Sequence, residues 1–396
     1  MFDVDIVGGS AAGLFAAYLL AREGKRVRLF DANDVLSVDS RTLITTSRLT
    51  EVLGFFPYDA VVNKIDQIEL YSPGRSVTIA MREPDLVVER SAVVRMLARM
   101  AVDAGVEIRG GCKLTNLEPV NGSLTMTIRD SHRDRVEQIK TKALIGADGM
   151  SSRVGKTIIG NGHATTPILQ AIVELPRGER QGTTKVWFEP DDTPYFYWLI
   201  PQAQRYAAVG FIAEEGKNAR NRLDRFLNRV GLKPVEMQSA RIPSYAYFTR
   251  PWRRMAGCDV YLIGDAAAQV KVTTVGGLVT GLRGAKAAAH AILRRTNYLK
   301  EMRSLRTELS LHLLIRNVLN RFGPADYDRL LELLNQRMIH LLGVHNRDHA
   351  AKIVCRILLA QPRFLRFASL LSRGLWKKSS RDRSVAQPQI LEQESD

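Results

Sequence analysis

The stretch that most constrains the fold is DIVGGSAAG, residues 5–13. Apolar residues from Phe2 to Val7 read as a strand. Ala11 to Glu23 carry a helical pattern closed by Gly24, and Arg26 to Phe30 read as a second strand. Strand, glycine turn, helix and strand make one βαβ unit, which commits this part of the chain to a parallel sheet. The turn reads Gly8-x-Ser10-x-x-Gly13, and Asp31 ends the second strand 18 residues beyond Gly13. Gly8 lets the chain turn, and Gly13 lets the helix pack closely on the sheet. Ser10, in the middle glycine position, is small enough for close approach. Free N–H groups at the helix start, around Ala11 and Ala12, then face a pyrophosphate, and Asp31 is placed to accept from an adenosine ribose. An ordinary tight βα turn is the other reading of the glycines taken alone.

At 396 residues the chain has room for two or three domains, and 45% apolar with 25% charged residues is a globular composition. Cys112, Cys258 and Cys355 are odd in number and widely spaced, which fits neither a disulfide framework nor a zinc site; no metal is expected. No signal peptide is read at the N-terminus, and no apolar run reaches the ~18 residues of a membrane span. A soluble or peripheral protein of the cytoplasm is therefore expected. The net charge of +16 points to nucleic acid, an anionic membrane surface or an acidic ligand. With no zinc-finger spacing and no aromatic RNA-binding signature, nucleic acid is not expected as a partner.

Further along, Gln67–Tyr71 and Ser76–Ala80 alternate around Pro73-Gly74 as a hairpin does. Val93–Ala104 reads as a helix, Val106–Ile108 as a strand, and Leu124–Ile128 with Val136–Ile139 as another hairpin. Ala143–Ile145 leads into Gly146-Ala147-Asp148-Gly149. From about Gln170 strands dominate, among them Thr184–Phe188, Tyr195–Ile200 and Ala207–Ala213, with one helix over Leu223–Val230. After Gly277 the pattern is helical, and from about Ser379 it is polar and disordered in composition.

Three separated elements resemble the flavoprotein group that includes p-hydroxybenzoate hydroxylase and the geranylgeranyl reductases. They are Gly8-Ser10-Gly13 with Asp31, GADGMSSRVG (146–155), similar to the group's GADGxxSxVR, and GDAAAQVKVTTVGG (264–277), similar to its second flavin motif. The resemblance spans residues 1 to about 295 and is nearest to the geranylgeranyl-reductase branch. It implies FAD as cofactor. Asp265 would bind the ribityl or ribose side, and Gly276-Gly277 would bring N–H groups and a positive helix end to the flavin ring. Val272 stands where many relatives have proline. Asp148 would support the cofactor layer, a plain turn acid being the other reading. Arg41 and Arg90 sit where relatives place arginines near the flavin, and solvated helix-start charges are the alternative. The branch's cysteine-containing segment is missing, so Cys112 and Cys258 are expected to be packing residues.

The resemblance implies an α/β fold, α+β overall. It consists of a discontinuous Rossmann-like FAD-binding domain (1–65, 88–165 and 255–295), a β-rich substrate domain (66–87 and 166–254), a C-terminal helical region (296–378) and a polar tail (379–396). TPYFYWLIP (193–201) partly matches the reductases' PxxYxWxFP and equally the flavin halogenases' WxWxIP. Tyr195, Tyr197 and Trp198 either line an apolar substrate cavity or pack on a sheet. Between Pro362 and Ser384, seven Lys/Arg interleave with Phe364, Phe367, Leu371, Leu375 and Trp376. That pattern suits an anionic membrane interface or a helix docked on the core. The group's chemistry implies a reductase of isoprenoid double bonds, acting on a lipid or quinone. NAD(P)H or an external electron carrier would serve as reductant. A flavin monooxygenase or halogenase and a non-catalytic scaffold are the alternatives, and no proton donor is identifiable.

Overall fold

The structure, a computed structural model, describes residues 2–36, 41–160, 164–214, 216–245, 248–344 and 350–368. Its first sheet runs in the order Trp252–Met255, Cys258–Leu262, Ala143–Gly146, Val4–Val7, Val27–Phe30, Glu107–Arg109. All neighbours are parallel except the outer Trp252–Met255. Val4–Val7 is buried at every residue, as a parallel strand covered on both faces must be. Ile6, Leu29 and Ile145 face helices Ala11–Arg22, Arg90–Asp103 and Leu278–Arg294. Val7, Phe30 and Leu144 face a three-stranded antiparallel sheet, Cys112–Val120, Ser123–Asp130 and Arg135–Thr141.

The second sheet has eight strands, ordered Pro234–Ser244, Ala164–Glu174, Tyr206–Ile212, Tyr197–Pro201, Thr183–Trp187, Val61–Tyr71, Ser76–Glu89, Thr42–Thr45. The expected hairpin is there, pairing Tyr71 with Ser76 and Gln67 with Ala80. Both its strands run on, back to Val61 and forward to Glu89. The forward extension passes through Arg82-Glu83-Pro84, which breaks the alternation a sequence reading depends on. Thr42–Thr45 and Val61–Ile65 thus lie in the β-rich layer, ahead of the boundary expected at residue 66. The sheet curls far enough that Arg41, beside one edge strand, donates to Ser239 O on the other at 2.5 Å. Helix Ala219–Arg229 backs its convex core with Leu223, Phe226 and Leu227.

The tail folds back as helices Arg303–Leu319, Pro324–Glu332, Gln336–Val344 and Ala350–Ala360 and a 3-10 turn over Pro362–Ala368. Asp328 accepts from Ser72 Oγ (2.6 Å) and Gly74 N (2.8 Å), which seats the tail on the hairpin turn. Glu308 accepts from Arg283 (2.6 Å) and Arg48 (3.3 Å), which fastens it to the first domain. Phe364 and Phe367 join Phe322 and Tyr327 in an aromatic cluster, so this part of the basic amphipathic segment packs inward. Leu371, Leu375, Trp376 and the cations from Arg373 onward lie outside the described residues. No helix among the described residues is long and apolar enough to cross a membrane, and no group of three or more metal-binding side chains occurs among them.

The two sheets of the first domain are tied at their edge by Arg109, which grips Glu137 with both terminal nitrogens (3.0 Å each) and Asp130 at 3.1 Å. This bidentate pairing holds the Glu137 carboxyl down at about 2 against its usual 4.5. A depressed folded-state value stabilises above the unfolded one, and the contribution is lost as pH falls from 4.5 toward 2. Discounted for its partial exposure, the pair contributes about 1–2 kcal/mol at neutral pH. Glu137→Gln is expected to lower unfolding free energy by about that amount at pH 7 and to flatten its fall between pH 5 and 2, measured by urea titrations across pH.

Candidate cofactor and substrate site

Every fingerprint element leaves the carboxyl edge of the parallel sheet. Leu262 leads to Gly264-Asp265, Gly146 to Ala147-Asp148, Val7 to Gly8, and Phe30 to Asp31, from four consecutive strands. Ligands bind at that edge in open α/β sheets. Gly8 has φ +110°, and a Cβ there would strike Ala147 O. A Cβ on Gly13 would strike Gly8 O, so the helix starts directly on the turn. Ser10 caps that helix through its Oγ, which accepts from Gly13 N at 3.2 Å, while Ala11 and Ala12 contribute first-turn N–H groups. Asp31 accepts from Gly9 N (2.6 Å) and Asn33 N (2.8 Å), leaving lone pairs for ribose hydroxyls. Gly9 belongs to this cradle although the fingerprint leaves its position open, because a Cβ there would meet Leu36. The adjacent Gly8-Gly9 pair was its signal.

The second loop brings another helix start alongside. Lys271 N donates to Gly276 O at 3.1 Å, closing a tight turn before helix Leu278–Arg294. Built Cβ atoms on Gly281 and Gly264 would lie 3.4 Å from Gly264 Cα and Ala12 Cβ respectively, so the two helix starts converge. The carboxylate of Asp265 lies against the second start, 3.3 Å from where a Gly277 Cβ would be. Two helix N-termini, two acids and glycines without room for a side chain form an extended strip of donors and acceptors. The strip fits a dinucleotide with a diphosphate at Ser10–Gly13 and a ring system at Gly276-Gly277.

Asp148 is engaged otherwise. It accepts from Ser152 Oγ (2.5 Å), Arg153 N (2.7 Å) and Val154 N (3.2 Å), holding the start of helix Arg153–Ile159 beside Gly8. Burial pushes its carboxyl up and these bonds oppose the rise. Arg41 and Arg90 are brought together through their backbones, Arg90 N donating to Arg41 O at 2.9 Å, with the Arg90 side chain exposed. Cys112 and Cys258 are buried packing groups, the Cys258 thiol pushed up by burial to about 12.

The aromatic strand splits by parity. Tyr197 is fully buried, stacked on Phe211 (4.6 Å) and Phe226 (4.0 Å), with Leu199 on the same face. Trp198 stands on the opposite face, half-buried and 6.2 Å from Phe196. Strand alternation therefore separates Tyr197 from the stripe expected with Trp198 and sends it into the core, while Phe196 neighbours Trp198. Tyr195, just before the strand, lies under the guanidinium of Arg316 at 4.5 Å.

Four residues that the sequence does not single out hold the second loop. Gln269, buried at 1%, accepts from Gly264 N (2.7 Å) and donates to Tyr298 Oη (3.2 Å), while Tyr298 donates to Leu262 O (2.8 Å). Tyr245 donates to Asp265 O at 2.6 Å. His312 Nδ1 lies 2.7 Å from Thr273 Oγ1, which brings an imidazole from the tail onto the loop. None lies in a recognisable motif, and each acquires its meaning only once its partner is known.

A family profile described as an FAD binding domain matches residues 1–297. Among curated proteins, digeranylgeranylglycerophospholipid reductase 1 of Methanopyrus kandleri is 27% identical over 300 residues, covering 71% of this chain and 77% of its own. A geranylgeranyl bacteriochlorophyll reductase-like structure from Thermoplasma acidophilum superposes with TM-score 0.75 at 18% identity, covering 93% of this chain and 99% of its own. The flavin-dependent halogenase CmlS gives TM-score 0.66 at 17% identity, with 87% and 73% covered.

Two substitutions probe the second loop. Val275 has φ +57°, a left-handed conformation that costs a β-branched residue about 1–2 kcal/mol. Val275→Gly is expected to raise unfolding free energy by roughly 0.5–1 kcal/mol, the rest being offset by glycine's unfolded-state entropy. Gln269→Leu strands the Gly264 N–H and Leu262–Tyr298 network and is expected to cost about 1–3 kcal/mol, read by denaturant titration, with weaker cofactor retention on gel filtration.

Proposed function

The chain belongs to the FAD binding domain family, and from that premise we propose that it reduces carbon–carbon double bonds of a geranylgeranyl or polyprenyl lipid or quinone. It is an FAD-dependent oxidoreductase of the geranylgeranyl reductase type. The observation that carries the reading is the pair of converging helix starts with Asp31 and Asp265, in a chain whose curated relatives bear reductase names. Asp31, Gly9 and the Ser10–Gly13 turn hold the adenosine diphosphate half, and Asp265 with Gly276-Gly277 holds the flavin half.

FAD held along Asp31, Ser10–Gly13, Asp265 and Gly276-Gly277 would, when reduced, supply hydride chemistry for one alkene carbon. The chain must do the rest, since an isolated alkene is a poor acceptor and its other carbon needs a proton. Trp198 and Phe196 offer an apolar wall on one face of the strand. The Thr273 Oγ1–His312 Nδ1 pair can hold a proton on the loop that leads to Gly276, and we assign the proton supply to it. NAD(P)H or an external carrier serves as reductant in this reading. The net charge of +16 and the lipid-modifying relatives support work at an anionic membrane surface from the cytoplasm.

The test is mass spectrometry of a geranylgeranyl lipid incubated under argon with chemically reduced, FAD-loaded protein. Two hydrogens gained per double bond are expected. Oxygen gained only in air would move the protein to the monooxygenases, and halogen incorporation with halide and air would move it to the halogenases.

A further inference from the structure

From Lys286 to Arg306 the chain carries six cations, Lys286, Arg294, Arg295, Lys300, Arg303 and Arg306, against one acid, Glu301, which accepts from Thr296 Oγ1 at 2.9 Å. The segment runs from the second half of helix Leu278–Arg294 through the short helix Tyr298–Glu301 to the start of helix Arg303–Leu319, and these three elements touch one another. All six residues are exposed, and among the described residues none of them enters an ion pair. Arginines elsewhere do. On helix Ala219–Arg229, Arg220, Arg222, Arg225 and Arg229 each reach a carboxylate within 4.0 Å. The unpaired shelf is therefore a local feature and not a mere by-product of the net charge of +16.

Apolar groups continue the same surface. On helix Arg303–Leu319, Arg303, Thr307, Ser310, Leu314 and Asn317 recur at spacings of four and three, one stripe in which every member faces solvent. Leu314 is 46% exposed within it. Helix Ala350–Ala360 packs beside this helix and turns Cys355 and, one turn on, Leu359 outward. Leu359 is 83% exposed, more than any other large apolar residue among those described. Arg356 and Arg363 flank it, both exposed. The described chain ends at Ala368, in the turn after that helix, and residues 369–384 add five more cations against one acid. Because helix Arg303–Leu319 touches both neighbours, cations and leucines border one continuous face.

We propose that this helical face docks on an anionic lipid bilayer, with the six cations against the headgroups and Leu314 and Leu359 entering the interface. Unpaired positive charge beside exposed leucine is the combination that such an interface rewards, through headgroup attraction and burial of the apolar tips. An acidic electron carrier fits less well. Arg294 stands at the far end of a 17-residue helix, about 24 Å along the axis from its start at the flavin loop. A carrier seated over that end is too distant for direct electron transfer. The lipid nature of the substrate rests on the reductase reading, whereas the docking face rests on its own charges and leucines. Docked this way, the protein sits where a lipid substrate is dissolved.

The experiment floats the full chain, loaded with FAD, on phosphatidylcholine vesicles with and without phosphatidylglycerol, at low and at high salt. The wild type is expected to bind only the vesicles that contain phosphatidylglycerol, and less tightly as salt rises. A cation near such a surface contributes roughly fivefold to partitioning, so the triple variant Lys300→Gln, Arg303→Gln, Arg306→Gln should bind roughly 100-fold more weakly. The double variant Leu314→Ser, Leu359→Ser should lose roughly 10-fold. Arg220→Gln, Arg225→Gln, Arg229→Gln removes the same three charges from the paired helix and should bind as the wild type does. These residues are exposed, so thermal midpoint and bound FAD should stay at wild-type values in every variant. Equal binding to both kinds of vesicle would overturn the proposal. So would wild-type binding by the Lys300–Arg306 triple variant, or an equal loss in the Arg220–Arg229 control. Tighter binding of DNA or polyglutamate than of the anionic vesicles would give the face to another polyanion and overturn it too. Vesicle binding that depends on the shelf, with no alkene reduced, would instead sink the reductase reading and leave the docking face standing.

Discussion

The site depends on two helix starts being held close together with little more than the Ala12 methyl between them. A Cβ added at Gly281 would touch Gly264 Cα and the Ala12 methyl, Gly13 rests on Gly8 O, and Gly284 lies where any side chain would collide with Gln269. Each start carries roughly half a positive charge, and placing two such ends side by side is repulsive. Asp31 and Asp265 offset part of this, one at the first loop and one at the second. The rest of the imbalance is what a diphosphate relieves. The glycines are therefore an electrostatic device as much as a steric one, since they set how near the two positive ends come.

The tail is the third support of this arrangement. Val275 is held in a left-handed conformation that the loop would leave if it were free to relax, and such strain persists only where the surroundings over-determine it. Below the loop Gln269 ties Gly264 to Tyr298, and beside it Leu313 and Tyr245 pack with Val270 and Val272. From above, His312 reaches Thr273. Val272, where many relatives have proline, is buried in this cluster, so contacts supply the rigidity that a pyrrolidine ring supplies elsewhere. Glu308 then locks the same helix to Arg283, on the helix that starts at the Gly276-Gly277 turn.

What could be read from the sequence was whatever is local. The βαβ unit, Asp31 at the strand end and the glycine pair before a helix are set by spacing within about thirty residues. The structure puts all of them along one sheet edge. Tyr197 misled because its neighbours Tyr195 and Trp198 make an aromatic run, whereas a strand sends consecutive side chains to opposite faces. Thr42–Thr45 was silent because a four-residue edge strand pairs with Leu86–Glu89, a partner that alternation does not announce. Gln269, His312 and Arg316 were silent for a further reason. Their meaning lies in partners 29, 39 and 122 residues away, and a polar residue in a helix reads as a solvated face until something packs on it.

The same scaffold carries oxygenases and reductases, so the fold leaves the reaction open and the side chains above the flavin loop decide it. Oxygen chemistry at a reduced flavin needs an apolar, water-poor pocket. Reduction of an unactivated alkene needs a proton source and a fixed substrate, because hydride added to one carbon leaves carbanion character on the other that a proton must quench. Here the tail helix brings an imidazole, His312, onto the loop at Thr273 and, one turn on, sets the buried Arg316 guanidinium over the Tyr195 ring. Cys112 and Cys258 are buried, and the imidazole of His312 joins Asp265 and Tyr245 among the ionisable groups at this loop.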